Sequence, residues 1–224
     1  MPHPEDNLPH NPDFKPFNSY SQDGEDMLLR SLLAEGQSDQ PDYKGFFIDI
    51  GAHHPFRFSN TAYFYEAGWQ GINIEPTPSA IKLFHHYRDR DINLAIGIGA
   101  HREKRTLYCF EDSALNSFDE QVAESYNAPI IETAEVDIFP LAQILDEHLS
   151  AGPAIDFMNI DVAGLDLQLL ESNNWDKYRP KFVLVEDVDS VAGKVDASEV
   201  HSFLNSRGYE LVYKTLRTLI YKAK

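Results

Sequence analysis

Cysteine is nearly absent: Cys109 stands alone in 224 residues, so an internal disulfide cannot form. The expected setting is a reducing one, the cytoplasm. Long apolar runs are missing as well, and no stretch approaches the length a membrane-spanning helix needs. Positive charge is scarce, with 19 Lys and Arg against 36 Asp and Glu and a formal net charge of −17. Nucleic-acid backbones are bound through Lys and Arg, and no basic patch stands out, so a nucleic-acid partner is disfavoured. A small molecule or a neutral sugar suits this charge balance better. The first residues, Met1 to Pro16, are rich in Pro, His and Asp and lack both a basic start and an apolar core. They read as a loose tail over 1–18, not as a signal peptide. Internal repeats are absent.

The remainder, 19–224, is long enough for one domain that buries a central sheet under two layers of helix. Gly45 to Ile50 is a short apolar run of the kind a buried strand presents, and Gln70 to Glu75 is a second. Further strands are expected at Ile92–Ile98, Ala154–Ile160 and Phe182–Glu186. Helices are expected from Gln22 to Leu33, from Ser59 or Asn60 to Ala67, after Thr77-Pro78, after Pro140, over Leu165–Glu171 and after Ser198. Tyr209–Lys214 and Thr218–Lys222 should pair as an antiparallel hairpin. Between Lys104 and Asp137 the pattern loosens into an insertion or flap, with strands near Arg105–Phe110 and Ile131–Asp137. Strands alternating with helices predict an α/β fold, a doubly wound parallel sheet that binds ligands beyond the carboxyl ends of its strands.

Unusual polar residues fall at those ends. The first strand runs into Asp49-Ile-Gly-Ala-His-His-Pro, where Gly51 suits a tight turn beside a ligand and Asp49 could hold a cationic amine. Glu75 ends the next strand, 24 residues after Gly51, a spacing that suits a carboxylate accepting from both ribose hydroxyls of an adenosine. A dinucleotide would need glycines where His53 and Phe56 stand, because its pyrophosphate must approach the backbone. S-adenosylmethionine has no phosphate and tolerates this turn. The plainer reading makes Gly51 a turn residue and Glu75 a solvated strand end.

Several segments together resemble the FkbM family of methyltransferases. They are Tyr20-Ser-Gln-Asp-Gly-Glu-Asp, Phe47-Ile-Asp-Ile-Gly-Ala-His-His-Pro-Phe-Arg-Phe-Ser-Asn-Thr and Gly71-Ile-Asn-Ile-Glu-Pro. Asp91-Ile-Asn-Leu-Ala-Ile-Gly, Ala114-Leu-Asn-Ser-Phe, Ile160-Asp-Val-Ala-Gly-Leu-Asp and Tyr178-Arg-Pro-Lys-Phe-Val-Leu-Val-Glu follow in order. The resemblance implies a seven-stranded class I methyltransferase fold, Rossmann-like, that binds S-adenosylmethionine and commonly methylates oxygen on sugars or natural products. It implies that Asp49, Gly51, Ala52, Glu75 and Pro76 line the cofactor, with Asn93 to Ala95 near its adenine. Ser21-Gln22 and Glu25-Asp26 would help close the pocket. In one place the chain departs from the family, which usually has Glu where Ala163 stands.

Methyl transfer to an alcohol needs the hydroxyl proton to leave, and a positioned base is worth about 10²–10⁴-fold. Asp161, at the end of a buried strand, is the first candidate; Glu186 and Asp187 end the next strand. Asp161 and Glu186 could also hold an oxygen-preferring ion such as Mg²⁺. Alternatively a strand-end acid caps a helix or binds backbone amides. His53 is a candidate base because imidazole titrates near neutrality, unless it only serves the turn. Phe56, Arg57 and Phe58 could wall a sugar site, though a loop pinned by two phenylalanines explains them as well. The expected activity is O-methylation of a sugar, nucleotide-sugar or related small metabolite. A silenced binding protein, motivated by Ala163, and a nicotinamide-dependent oxidoreductase are the alternatives. Oligomeric state is not legible.

Overall fold

The computed structural model describes residues 18–34, 42–149, 154–162, 164–187, 195 and 198–224. Nearly all of the expected tail, and Ala163, lie outside the described residues. In chain order the first elements are α1 (Glu25–Ala34), β1 (Phe46–Ile50), α2 (Ala62–Glu66), β2 (Gln70–Ile74), α3 (Pro78–Tyr87), β3 (Ile92–Leu94) and β4 (Gly97–Ile98). Next come β5 (Glu103–Cys109), α4 (Glu120–Ser125), β6 (Glu132–Phe139), α5 (Leu141–Leu149), β7 (Phe157–Ile160) and α6 (Asp166–Glu171). The chain closes with β8 (Phe182–Glu186), α7 (Glu199–Ser206), β9 (Tyr209–Lys214) and β10 (Thr218–Ala223).

Four consecutive buried positions in each of β1, β2, β7 and β8 follow from burial on both faces of a parallel sheet. Alternation then sorts the side chains. Ile48 and Ile50 of β1 join α5, α6 and α7 through Leu141, Ile144, Leu169, Leu170 and Leu204. Phe47 faces the other way and packs with Leu29 and Leu33 of α1 and Phe64 of α2. Two helical layers thus enclose one sheet, with strand order β3-β2-β1-β7-β8-β10-β9. The strands from β3 to β8 are parallel, and β10 runs antiparallel to both β8 and β9. The doubly wound sheet and its C-terminal hairpin are as expected.

Ile50 lies level with Ile74 on one side and Ile160 on the other. Strand order reverses at β1, so a crevice opens beyond these three carboxyl ends.

The run Ile92–Ile98 is not one strand. It divides into β3 of the large sheet and β4 of a second, three-stranded sheet of order β4-β6-β5. Gly97 explains the change of partner, because a Cβ there would fall 2.5 Å from Ile138 of β6. The missing side chain at Gly97 leaves room for the tip of Ile138 where β4 lies against β6. Among the described residues no helix is long and apolar enough to cross a membrane.

Candidate active site

The turn after β1 is built by backbone. Gly51 has φ +76, and a Cβ on it would lie 1.8 Å from the Asp161 carbonyl oxygen. Asp161 N–H donates to Ile50 O at 2.9 Å, while Gly51 and Ala52 N–H both reach Ile74 O at 3.0 and 3.2 Å. The ends of β1, β2 and β7 are thereby fastened together.

Glu75 stands where β2 ends and is 5% exposed. One carboxylate oxygen accepts His53 N–H at 2.8 Å and the other accepts Thr77 N–H at 2.8 Å. Burial pushes its pKa up, and these bonds oppose that shift. Each oxygen keeps acceptor capacity, and the group lines a cavity of about 390 Å³. Its plainer reading, a solvated strand end, is excluded by its burial.

Asp49 forms part of the cavity floor, and both its oxygens are engaged. Thr61 Oγ1 donates at 2.7 Å and Asn159 Nδ2 at 2.9 Å, and Asn60 Nδ2 in turn holds the Asn159 carbonyl at 2.8 Å. Behind Thr61 sits Arg88, fully buried, with Nη2 on Thr61 Oγ1 at 3.0 Å, Nε on Asp91 at 3.0 Å and Nη1 on Pro55 O at 2.9 Å. Asp49, expected to receive a cationic amine, is held in place by this internal polar network, lines the cavity and, like Glu75, keeps acceptor capacity on each oxygen.

Asp161 and Glu186 end adjacent strands and are hydrogen-bonded to each other. Burial first, and then the charge of Glu186, push the Asp161 carboxyl up to about 8. Asp161 still presents an edge to the crevice water, while protein crowds its remaining sides. Burial likewise raises the neighbouring Asp166 to about 6. The ion expected at Asp161 and Glu186 would have two facing carboxyls there, and water would complete the six oxygens that Mg²⁺ takes. Among the described residues no cluster of three or more His, Cys, Asp or Glu suits a metal. Asp187 does not line the cavity; it accepts the Ser198 hydroxyl at 2.8 Å. Successive strand-end side chains point to opposite faces, which separates it from Glu186.

His53 lines the crevice with φ +55, and its Nδ1 lies 3.4 Å from Ser113 Oγ. Burial, then the nearby Arg57, lower its pKa and favour the neutral ring. His54 serves the backbone: its Nδ1 accepts Phe56 N–H at 3.0 Å and Arg57 N–H at 2.9 Å.

Asn93 and Ala95 are outside the cavity lining, as is Pro76, which only joins Glu75 to Thr77. Asn93 instead donates to Arg88 O at 2.9 Å and accepts from Asn73 at 2.8 Å. Because the chain leaves the large sheet after Leu94, Gly97 and Ile98 face the crevice in their place, beside Leu107 and Phe118. Asn116 ties this wall down, accepting Phe110 N–H at 2.9 Å and donating to Thr77 Oγ1 at 3.0 Å. Sequence reasoning missed that role, although Ala114-Leu-Asn-Ser-Phe was the signal for it. Gln22 does line the cavity. Ser21, Glu25 and Asp26 do not: Ser21 Oγ accepts Asp26 N–H, while Glu25 takes the hydroxyls of Thr215 and Thr218.

Residues 49–211 match the methyltransferase FkbM domain. The chain belongs to the FkbM methyltransferase family. No curated protein matches it. Its solved structural relatives include methyltransferase FkbM from Methylobacillus flagellatus, 13% identical with a TM-score of 0.48, covering 81% of this FkbM chain and 44% of that one. The chain thus spans under half the length of that relative. Precorrin-6y C5,15-methyltransferase from Geobacter metallireducens is 13% identical, with a TM-score of 0.43 and coverage of 96% and 95%. The 1,6-didemethyltoxoflavin-N1-methyltransferase of Burkholderia thailandensis, solved with S-adenosylhomocysteine, is 11% identical, with a TM-score of 0.43 and coverage of 91% and 80%. The FkbM chain has the class I methyltransferase fold.

Proposed function

We propose that this FkbM methyltransferase moves a methyl group from S-adenosylmethionine to a hydroxyl oxygen of a sugar, nucleotide-sugar or related small metabolite. Glu75 carries the reading: it is a buried carboxylate, oriented by two backbone N–H groups, that retains acceptor capacity on the wall of a cavity sized for one such ligand. When bound, the cofactor supplies a methyl group on a positively charged sulfur.

The chain supplies the rest. Glu75 accepts from the ribose hydroxyls, Gly51 and Ala52 form the floor, and Ile98, Leu107 and Phe118 give the apolar wall a flat base requires. Residues 104–137 act as a flap within a single domain over 19–224. Asp161, backed by Glu186, takes the acceptor hydroxyl proton onto its carboxylate, with His53 as the other candidate base. Alignment of the two reactants supplies much of the remaining rate.

Calorimetry with S-adenosylhomocysteine on the parent and on Glu75→Gln tests this reading. Loss of binding by about tenfold or more is expected; unchanged affinity, or none in the parent, overturns it. A methyl-transfer assay of the parent beside Ala163→Glu separates the enzyme from a silenced binding protein, since turnover by the Glu form alone identifies the latter.

A further inference from the structure

The loop from His53 to Asn60 holds two non-glycine residues in left-handed backbone, His53 at φ +55 and Phe58 at φ +57. Bulky side chains avoid that region, and where it persists the surroundings over-determine it. Here they do. The His54 ring takes the N–H groups of Phe56 and Arg57, Arg88 holds Pro55 O, and Ser59 Oγ accepts from Thr61 and Ala62.

This scaffold turns an aromatic ring outward. Phe58 is 48% exposed and lines the crevice, and the Arg57 guanidinium lies over its ring at 4.7 Å. Arg57 is the one Arg or Lys among the described residues that line the cavity. The buried Arg88 and the partly buried Arg217 are each matched to an aspartate, whereas Arg57 has no ion-pair partner among the described residues. In a chain of net charge −17, a lone cation held at the crevice against an exposed ring is the arrangement that binds a ring carrying a negative charge.

We infer that the acceptor is an anion, a hydroxyl compound whose ring lies on Phe58 while its phosphate or carboxylate pairs with Arg57. This rests on the function proposed above and replaces the neutral sugar that overall charge suggests with a charged one.

Calorimetry on protein saturated with S-adenosylhomocysteine tests it, with glucose, glucose 6-phosphate and glucuronate as probes. One of the anionic probes should bind about tenfold or more tightly than glucose, and Arg57→Gln should erase that margin. Phe58→Ala should weaken all probes that bind. Which anion wins distinguishes phosphate from carboxylate. Equal binding of glucose and both anions, no binding of either anion, or a margin that survives Arg57→Gln overturns the inference. S-adenosylhomocysteine should bind Arg57→Gln as tightly as the parent. If that affinity drops instead, Arg57 serves the cofactor's own carboxylate and the acceptor assignment fails. Absence of S-adenosylhomocysteine binding to the parent would sink the underlying function as well, which keeps the two failures distinguishable.

Discussion

Asp161 and Glu186 hydrogen-bond to each other across the ends of neighbouring parallel strands, so two carboxyls crowd one rim of the crevice. Like charges this close do not both ionise readily, and burial strengthens the effect. Since a base must be unprotonated, kcat/KM should rise with pH through about 8. Glu186→Gln removes one charge and should move that limb to lower pH. Stability runs the opposite way. Between its ordinary 3.8 and about 8, Asp161 keeps a proton in the folded state that the unfolded chain has released, so stability declines as pH rises across that window. Thermal melts should show the decline, and Asp161→Asn should flatten it. A pH–rate profile indifferent to Glu186→Gln contradicts the pairing.

Gly51 should tolerate no side chain. Its φ of +76 and the 1.8 Å approach of a built Cβ to Asp161 O combine backbone strain with overpacking against main chain. Gly51→Ala should destabilise by about 2–5 kcal/mol, read by urea denaturation. A loss under about 1 kcal/mol would show that the turn relaxes.

Arg88 holds three residues, Asp91, Thr61 and Pro55, from one buried position. Arg88→Met strands Asp91 without its cation and should cost about 3–5 kcal/mol. Adding Asp91→Asn should recover part of that loss, because the orphaned charge is removed. Arg88→Lys should rescue incompletely, since an ammonium cannot reach Asp91, Thr61 and Pro55 in the plane of a guanidinium. Additive losses in the double variant would refute the coupling.

The His54 ring must be unprotonated at Nδ1 to accept two N–H groups. Its pKa is lowered, chiefly by burial, so stability present above its ordinary 6.5 is lost as pH falls through the folded value. The protection factors of the Phe56 and Arg57 amides, their exchange relative to the intrinsic rate at each pH, should fall on acidification. Equal protection on both sides of that window argues that the loop is held without the ring.

The parts readable in the sequence were those with local causes. The apolar run Phe46-Phe47-Ile48 announces β1, and a strand-end acid at a set distance from Gly51 announces Glu75. The alternation Ile92, Leu94, Ile96, Ile98 continues unbroken through a change of sheet. Only the packing of Gly97 against Ile138, 41 positions away, reveals the break. The support of Asp49 was hidden for a similar reason: Asn159, which donates to it, lies 110 residues on. Residues that contact across such separations leave no periodic trace.

Glu25 reaches across 190 residues to Thr215 and 193 to Thr218, and Gln22 enters the crevice from the segment just before it. During synthesis, then, the pocket stays unfinished until the last hairpin has left the ribosome. A nascent chain already holding Gly51, Glu75 and Asp161 would still lack the clasp that seats its first wall.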